Sequence, residues 1–319
     1  MLQEREARLA RAQGALLGQL TGDALGAMVE FQTASEIRAA YPDGLREMGA
    51  SPIWGTLPGQ PTDDSEMALA LARTLVTRGF DLASIRGAYL AWLDSRPFDV
   101  GRTTRLGLYG QPVEESQANG GLMRISPLGI FGHALEVERL VEMARAECGL
   151  THPNPVCRDA SAVFAAGIAH AVRTGASPEE VWEVMARLAR ENDCAREVRE
   201  AVERAVWEPP SDFHFHMGWV KNALQNAVYR MLHASSLEEG VIDTVMAGGD
   251  TDTNAAIAGA LLGAVHGVDA VPTSWREVVL SVRADHRSPV PRPPAYWPVD
   301  ALELAAQLLD AGAQNASEG

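Results

Sequence analysis

The stretch Gly248–Gly267, GGDTDTNAAIAGALLGAVHG, constrains this chain more than any other. From Ala255 to Val265 it holds only small and apolar residues. The run falls short of the roughly 20 apolar residues that cross a bilayer. Apolar on every side, it reads as a helix that other elements must wrap. At its mouth stand Asp250 and Asp252, trailed by Thr251 and Thr253. Asp, Thr and Gly-Gly-Asp also serve as ordinary caps and turns. Acids at the mouth of a buried helix nevertheless need a partner, because an unpaired buried carboxylate costs several kcal/mol or more. The helix N-terminus supplies only about half a charge. A bound cation would complete the balance.

A second stretch answers the first. Gly14, Gly18, Gly22 and Gly26 recur every fourth residue in GALLGQLTGDALGAMVEF. At helical spacing they form one smooth face that admits another helix closely. Gln19, Asp23 and Glu30 argue against a membrane dimer helix of similar pattern. The string GALLG returns at Gly259–Gly263, so two smooth helices could pack together in the core.

The remaining periodicity is helical. Segments Ser65–Arg78, Leu82–Ser95, Glu136–Cys148, Arg158–Thr174, Pro178–Glu191, Glu197–Val206, Trp219–His233 and Val299–Ala311 read as helices. Ser177 is placed as an N-cap with Pro178 at the first helical position. Ile37–Gly59 and Arg102–Gly129 read as loops, and Ser288–Pro298, with five prolines, as extended chain. No period-2 run of β-branched residues stands out. The expectation is an all-α fold in one compact multi-helix domain, about ten to thirteen helices. It spans residues 11–311, between an N-terminal tail, 1–10, and a disordered C-terminal tail, 312–319.

Composition limits the function. The 319 residues are 46% hydrophobic, enough for a large core. A net charge of −15 argues against direct nucleic-acid binding through a basic surface. It leaves room for a ligand that carries phosphates. Cys148, Cys157 and Cys194 are odd in number and lack metal spacing, which suits a reducing cytoplasm. The N-terminal MLQEREARLARAQ is charged, unlike a secretory signal. No membrane association is expected.

The other acidic cluster lies far upstream. Pro61–Glu66 reads PTDDSE and places Thr62, Asp63 and Asp64 just before a helix. Asp63 and Glu66 also have capping-box spacing. Carboxylate and hydroxyl oxygens are hard ligands that suit Mg²⁺, Mn²⁺ or Ca²⁺. Two such clusters could close on one site.

PTDDSEMAL followed downstream by AGGDTDTNAAIAGALLGAVHG resembles the ADP-ribosylglycohydrolase family. The resemblance extends to GALLGQLTGDALGAMVEF, FDVGRTTRLGL, NGGLMRISPLG, THPNP and GWVKNALQNAVY, in the family's order. It implies an all-helical domain with two divalent cations, Mg²⁺ or Mn²⁺, at the base of an ADP-ribose cleft. By this resemblance Thr62, Asp63, Asp64, Asp250, Asp252 and Thr253 would be metal ligands. Glu30, Asp63 and Asp99 would be the candidate catalytic carboxylates, with the roles among them open. Asn119, Gly120 and Gly121 would approach the diphosphate, where a Cβ would obstruct. Met123 would line the ribose pocket, and His152 would sit beside the distal ribose. Trp219 would stack adenine in place of the family's more usual tyrosine. Met123 could equally be core, His152 a structural hydrogen-bonder, and Asp99 a loop carboxylate capping a turn.

The implied reaction is metal-dependent hydrolysis of the bond between ADP-ribose and a modified acceptor, with ADP-ribosylated protein or small molecule as partner. PFDVG, at Pro97–Gly101, leans toward an arginine linkage. Serine-linked or polymeric ADP-ribose, or a non-catalytic binding and occluding protein, are the alternatives.

Overall fold

A computed structural model of the chain describes residues 2–317. Its α-helices are, in order, α1 (Leu2–Gly26), α2 (Ala34–Ala40), α3 (Asp63–Arg78), α4 (Leu82–Asp94) and α5 (Arg102–Leu108). There follow α6 (Ser126–Phe131), α7 (Val137–Gly149), α8 (Pro155–Thr174), α9 (Pro178–Glu191) and α10 (Arg196–Arg204). The last are α11 (Val220–His233), α12 (Leu237–Val245), α13 (Thr251–His266), α14 (Thr273–Ser281) and α15 (Ala301–Ser317). Short 3₁₀ turns join some of them, and the described residues contain no β-strand. None of the described helices is long and apolar enough to cross a membrane.

The all-α expectation holds, but the helices outnumber it. The segment read as a loop at Arg102–Gly129 carries α5, a 3₁₀ turn at Asn119–Gly121 and the start of α6. Likewise α2 occupies the start of the Ile37–Gly59 segment. Together with α12 and α14, these helices have nine residues or fewer, too few for the 3.6-residue period to stand out. Both terminal segments read as tails are helical where described: α1 begins at Leu2 and α15 runs to Ser317. Met1, Glu318 and Gly319 lie outside the described residues. The Ser177 cap forms as expected, accepting from the Glu180 amide while the Glu180 carboxylate accepts from the Ser177 amide.

The two smooth helices do meet, and they run antiparallel. A Cβ built on Gly14, Gly18, Gly22 or Gly26 would land on the carbonyl oxygen of Gly263, Gly259, Ala255 or Thr251 respectively. The reverse holds for Gly259 and Gly263 against Gly18 and Gly14. Backbone therefore packs on backbone along the whole seam. The rest of the core closes around it, and α13 is buried from Thr251 to Ala264. The antiparallel register has one functional consequence: it brings the C-terminal end of α1 to the N-terminal end of α13.

Candidate active site

The site is assembled at that junction. Beyond α1 the chain turns so that the Phe31 amide donates to Gly249 O at 2.8 Å, and the Gly249 amide donates back to Gln32 O at 2.9 Å. Gly248 and Gly249 have φ of 81° and 80°. Side chains there would strike Gln32 O and Phe213 O, so glycine is needed twice over. This reciprocal tie fixes Glu30 opposite Asp250 and Asp252.

The upstream cluster is held by α1 itself. Asp23, fully buried, accepts from the Thr62 amide at 3.1 Å, the Thr62 hydroxyl at 2.9 Å and the Ser65 amide at 3.1 Å. It thus caps α3 from outside, and Thr62 makes no side-chain cap of its own. The capping box suggested by Asp63 and Glu66 does not form. Glu66 turns away to accept from Nε and Nη2 of Arg292 at 2.7 Å each, and from the Trp92 indole at 2.8 Å. That buried bidentate pair pins the proline-rich segment against α3. Gln19 completes the anchoring: its amide donates to Met123 O at 3.0 Å, and its carbonyl accepts from the Ser126 hydroxyl.

Glu30, Asp63, Asp99, Asn119, Gly120, Met123, His152, Asp250 and Thr253 all line one cleft of about 330 Å³. Thr62, Asp64 and Asp252 do not line it and are nearly or wholly shielded from solvent. Carboxylate oxygens of Glu30, Asp99 and Asp252 lie within 4.8 Å of one another. Thr253 donates its amide to Asp252 at 2.8 Å, and Thr251 donates its hydroxyl to Gly26 O at 2.7 Å. Among the described residues lining the cleft, Arg102 is the single arginine or lysine.

Crowding and burial disfavour charge here. Burial, then Asp250 and Asp99, pushes Glu30 up to about 8. Burial raises Asp23 to about 6 against hydrogen bonds from Ser65 and Thr62. Asp63, Asp64, Asp99, Asp250 and Asp252 are raised too, each chiefly by burial. Asp64 Oδ1 is buried without a hydrogen-bond donor. The cluster is therefore rich in hard oxygen donors and poor in compensating positive charge. That donor set fits a divalent cation of the oxygen-preferring kind.

Asn119 and Gly120 of the Asn119–Gly121 turn form one wall of the cleft, whereas Gly121 does not line it. Asn119 donates its side chain to Asp250 at 2.7 Å and its amide to Gly218 O at 2.9 Å. The two glycines have a reason beyond ligand approach: a Cβ at Gly120 would crowd His152 and Thr104, and one at Gly121 would strike the Cys148 sulfur. Beneath the turn, wholly buried Arg124 donates to Glu147 at 2.7 Å and to Gly120 O at 3.2 Å. Tyr89 donates to the same Glu147 oxygen at 2.5 Å. Sequence reasoning assigned none of Asp23, Arg124, Glu147 or Glu66. Of these only Asp23 carried a signal, an acid within an otherwise apolar helical segment, which demands a buried partner.

His152 is buried, with Nδ1 2.7 Å from the Thr151 hydroxyl and Nε2 without a partner. Burial, then Arg124, pushes it down to about 3, so it is neutral. Trp219 does not line the carboxylate cleft. It lines an adjoining cavity of about 450 Å³ that shares Ala118 and Met217 with the cleft. Its ring is half-buried, donates to Gln117 at 2.8 Å and lies under Lys221 at 5.3 Å.

Comparison with known proteins agrees with this architecture. The family model described as ADP-ribosylglycohydrolase matches residues 4–316. The chain is 34% identical to the ADP-ribosyl-[dinitrogen reductase] glycohydrolase of Rhodospirillum rubrum, covering 83% of this chain and 88% of that protein. It is 28% identical to the ADP-ribosylarginine hydrolase Tri1 of Pseudomonas putida (strain GB-1), covering 86% and 75% respectively. A solved structure titled ADP-ribosylglycohydrolase-related protein complex superposes with a TM-score of 0.78 at 29% identity, covering 98% of this chain and 99% of that one. This chain belongs to the ADP-ribosylglycohydrolase family and is a hydrolase.

Proposed function

We propose that this enzyme releases ADP-ribose from a modified arginine, reversing mono-ADP-ribosylation in the cytoplasm. One observation carries the reading: Glu30, Asp63, Asp99 and Asp250 converge on a single cleft walled by Asn119 and Gly120. The arginine linkage is supported by a relative named for an ADP-ribosylarginine substrate, and by the acidity of the cleft. The three cysteines are free, which suits a reducing compartment.

In this reading Thr62, Asp63, Asp64, Asp250, Asp252 and Thr253 would hold two divalent cations, Mg²⁺ or Mn²⁺. Such ions would supply positive charge for the vicinal ribose hydroxyls and would acidify water. The chain's residues do the rest. Asn119, Gly120 and Gly121 hold the diphosphate, Met123 and His152 flank the distal ribose, and Trp219 stacks adenine in the adjoining cavity. The bond from ribose C1″ to the guanidino nitrogen breaks through an oxocarbenium-like state as a water oxygen bonds to C1″. A carboxylate among Glu30, Asp63 and Asp99 takes the water's proton, and the departing nitrogen receives one.

The test is release of ADP-ribose by purified protein with Mg²⁺ or Mn²⁺, on ADP-ribosyl-arginine and ADP-ribosyl-serine side by side. Turnover of the arginine conjugate well above the serine conjugate is expected. Turnover of serine alone, or of neither, overturns the assignment.

A further inference from the structure

Phe31 is at odds with its own backbone. It sits at φ 66°, a left-handed conformation that bulky side chains rarely adopt. Burial does not compensate, because the residue is 51% exposed. Glycine or asparagine would occupy the same turn with less strain. The turn itself is fixed by the Phe31–Gly249 and Gly249–Gln32 hydrogen bonds. Strain of this kind persists where the surroundings over-determine it, and it concentrates at functional sites. What the turn achieves is to set an aromatic ring in the wall of the carboxylate cleft.

The ring is part of a small aromatic array. Trp54 meets Phe31 edge to face, with centroids 6.4 Å apart, and meets Phe98 at 5.7 Å. The Trp54 indole donates to Glu30 at 2.6 Å. Its loop is tied to the end of α1, because the Ser51 hydroxyl donates to Ala27 O at 2.5 Å and accepts from the Trp54 amide. Phe98 immediately precedes Asp99. The array therefore stands at the reacting end of the cleft, beside Glu30 and Asp99. The cavity lined by Trp219 does not include Phe31.

An aromatic face flanked by carboxylates is complementary to a flat, delocalised cation. Guanidinium meets that description better than ammonium, since it is planar and weakly hydrated and stacks on rings. Resting on the arginine reading above, we propose that Phe31, braced by Trp54, is the acceptor platform: its ring stacks the guanidinium of the arginine that leaves. A serine acceptor, lacking both charge and plane, gains nothing from it.

The experiment compares Phe31→Ala, Phe31→Gly and Phe31→Tyr with wild type in the presence of Mn²⁺. Kinetics use ADP-ribosyl-arginine, and calorimetry measures free ADP-ribose. Phe31→Ala and Phe31→Gly should lower kcat/KM on the arginine conjugate by roughly three- to thirtyfold, the range of an exposed to partly desolvated cation–π contact. ADP-ribose affinity should stay within about twofold, because the product lacks the acceptor. Phe31→Tyr should restore most of the loss. Phe31→Gly should melt no lower than Phe31→Ala, because glycine suits a positive φ; the kinetic loss is then separate from folding. Unchanged kinetics in all three variants, or a parallel loss of ADP-ribose affinity, overturns the platform alone. Wild type that binds ADP-ribose but spares the arginine conjugate overturns the arginine reading and the platform with it.

Discussion

The α1–α13 seam and the acidic cleft are built from the same two helices, and they obey opposite rules. Along the seam, Gly14, Gly18, Gly22 and Gly26 let backbone touch backbone, and no charged side chain intervenes. One turn beyond its end, Glu30, Asp250 and Asp252 crowd like charges that burial alone already disfavours. The seam is the rigid part that makes the strained part possible. Glycines set how near Glu30 comes to the N-terminus of α13, and nearness is what gathers the carboxylates there. Stability and function are thereby divided between adjacent turns of one helix pair.

Substitutions at the two places should then act in opposite directions. Asp252→Asn should lower turnover by a factor on the order of a thousand or more, as losing a central ligand or electrostatic group does. It should also raise the melting temperature of metal-free protein, because one member of a buried like-charge cluster is gone. Gly18→Leu should do the reverse in kind, driving a side chain into the Gly259 backbone. Overpacking of this sort costs about 3 kcal/mol or more, a fall of roughly 5 °C for a chain of this length. Thermal melts and single-turnover rates on both variants check the division. A Gly18→Leu protein of full stability, or an Asp252→Asn protein that melts lower without metal, would break it.

The pH dependence sharpens the same contrast. Glu30 is raised to about 8 and Asp23 to about 6 in the folded chain, whereas unfolded carboxylates titrate near 4. Between those limits the folded protein holds protons that the unfolded chain has released. Stability of metal-free protein should thus be greatest at the acid end of the window and decline as pH rises from about 4 toward 8. Saturating Mn²⁺ should flatten the decline, because the ion replaces the protons. Melts across that range, with and without metal, give the answer. A metal-free stability that climbs with pH would show that the cluster is not the dominant linked group.

Trp219 offers a smaller test. Stacked on adenine it is worth about 1–3 kcal/mol, so Trp219→Ala should weaken ADP-ribose by roughly ten- to a hundredfold. Trp219→Tyr should lose little. The indole is half-buried against the core, donates to Gln117 and lines the adjoining cavity. Calorimetric titration of a folded Trp219→Ala protein with unaltered affinity would remove it from the site.

Much of this division was legible in the sequence. The four-residue glycine spacing, the repeated GALLG and the paired Thr/Asp clusters each carry their own physical signal, and the structure joins them as that signal suggests. The short helices α2, α5 and α6 were not legible, because seven residues or fewer show no period and tertiary contacts decide their state. Nor was the choice of Glu66, whose local capping pattern yields to a distant arginine, Arg292. Asp23 was visible as an acid inside an apolar helix, but its partners lie 39 and 42 residues further along the chain. Phe31 was invisible, since a positive φ at a phenylalanine has no sequence signature.

The cleft at the end of the seam should work through divalent cations held by its oxygen donors. Release of ADP-ribose from ADP-ribosyl-arginine should be followed in chelator-treated protein, and again after Mg²⁺ or Mn²⁺ is restored. Turnover should be lost on chelation and should recover with the metal in wild type, but not in Asp252→Asn. Undiminished turnover in the chelated enzyme would contradict a role for the cations.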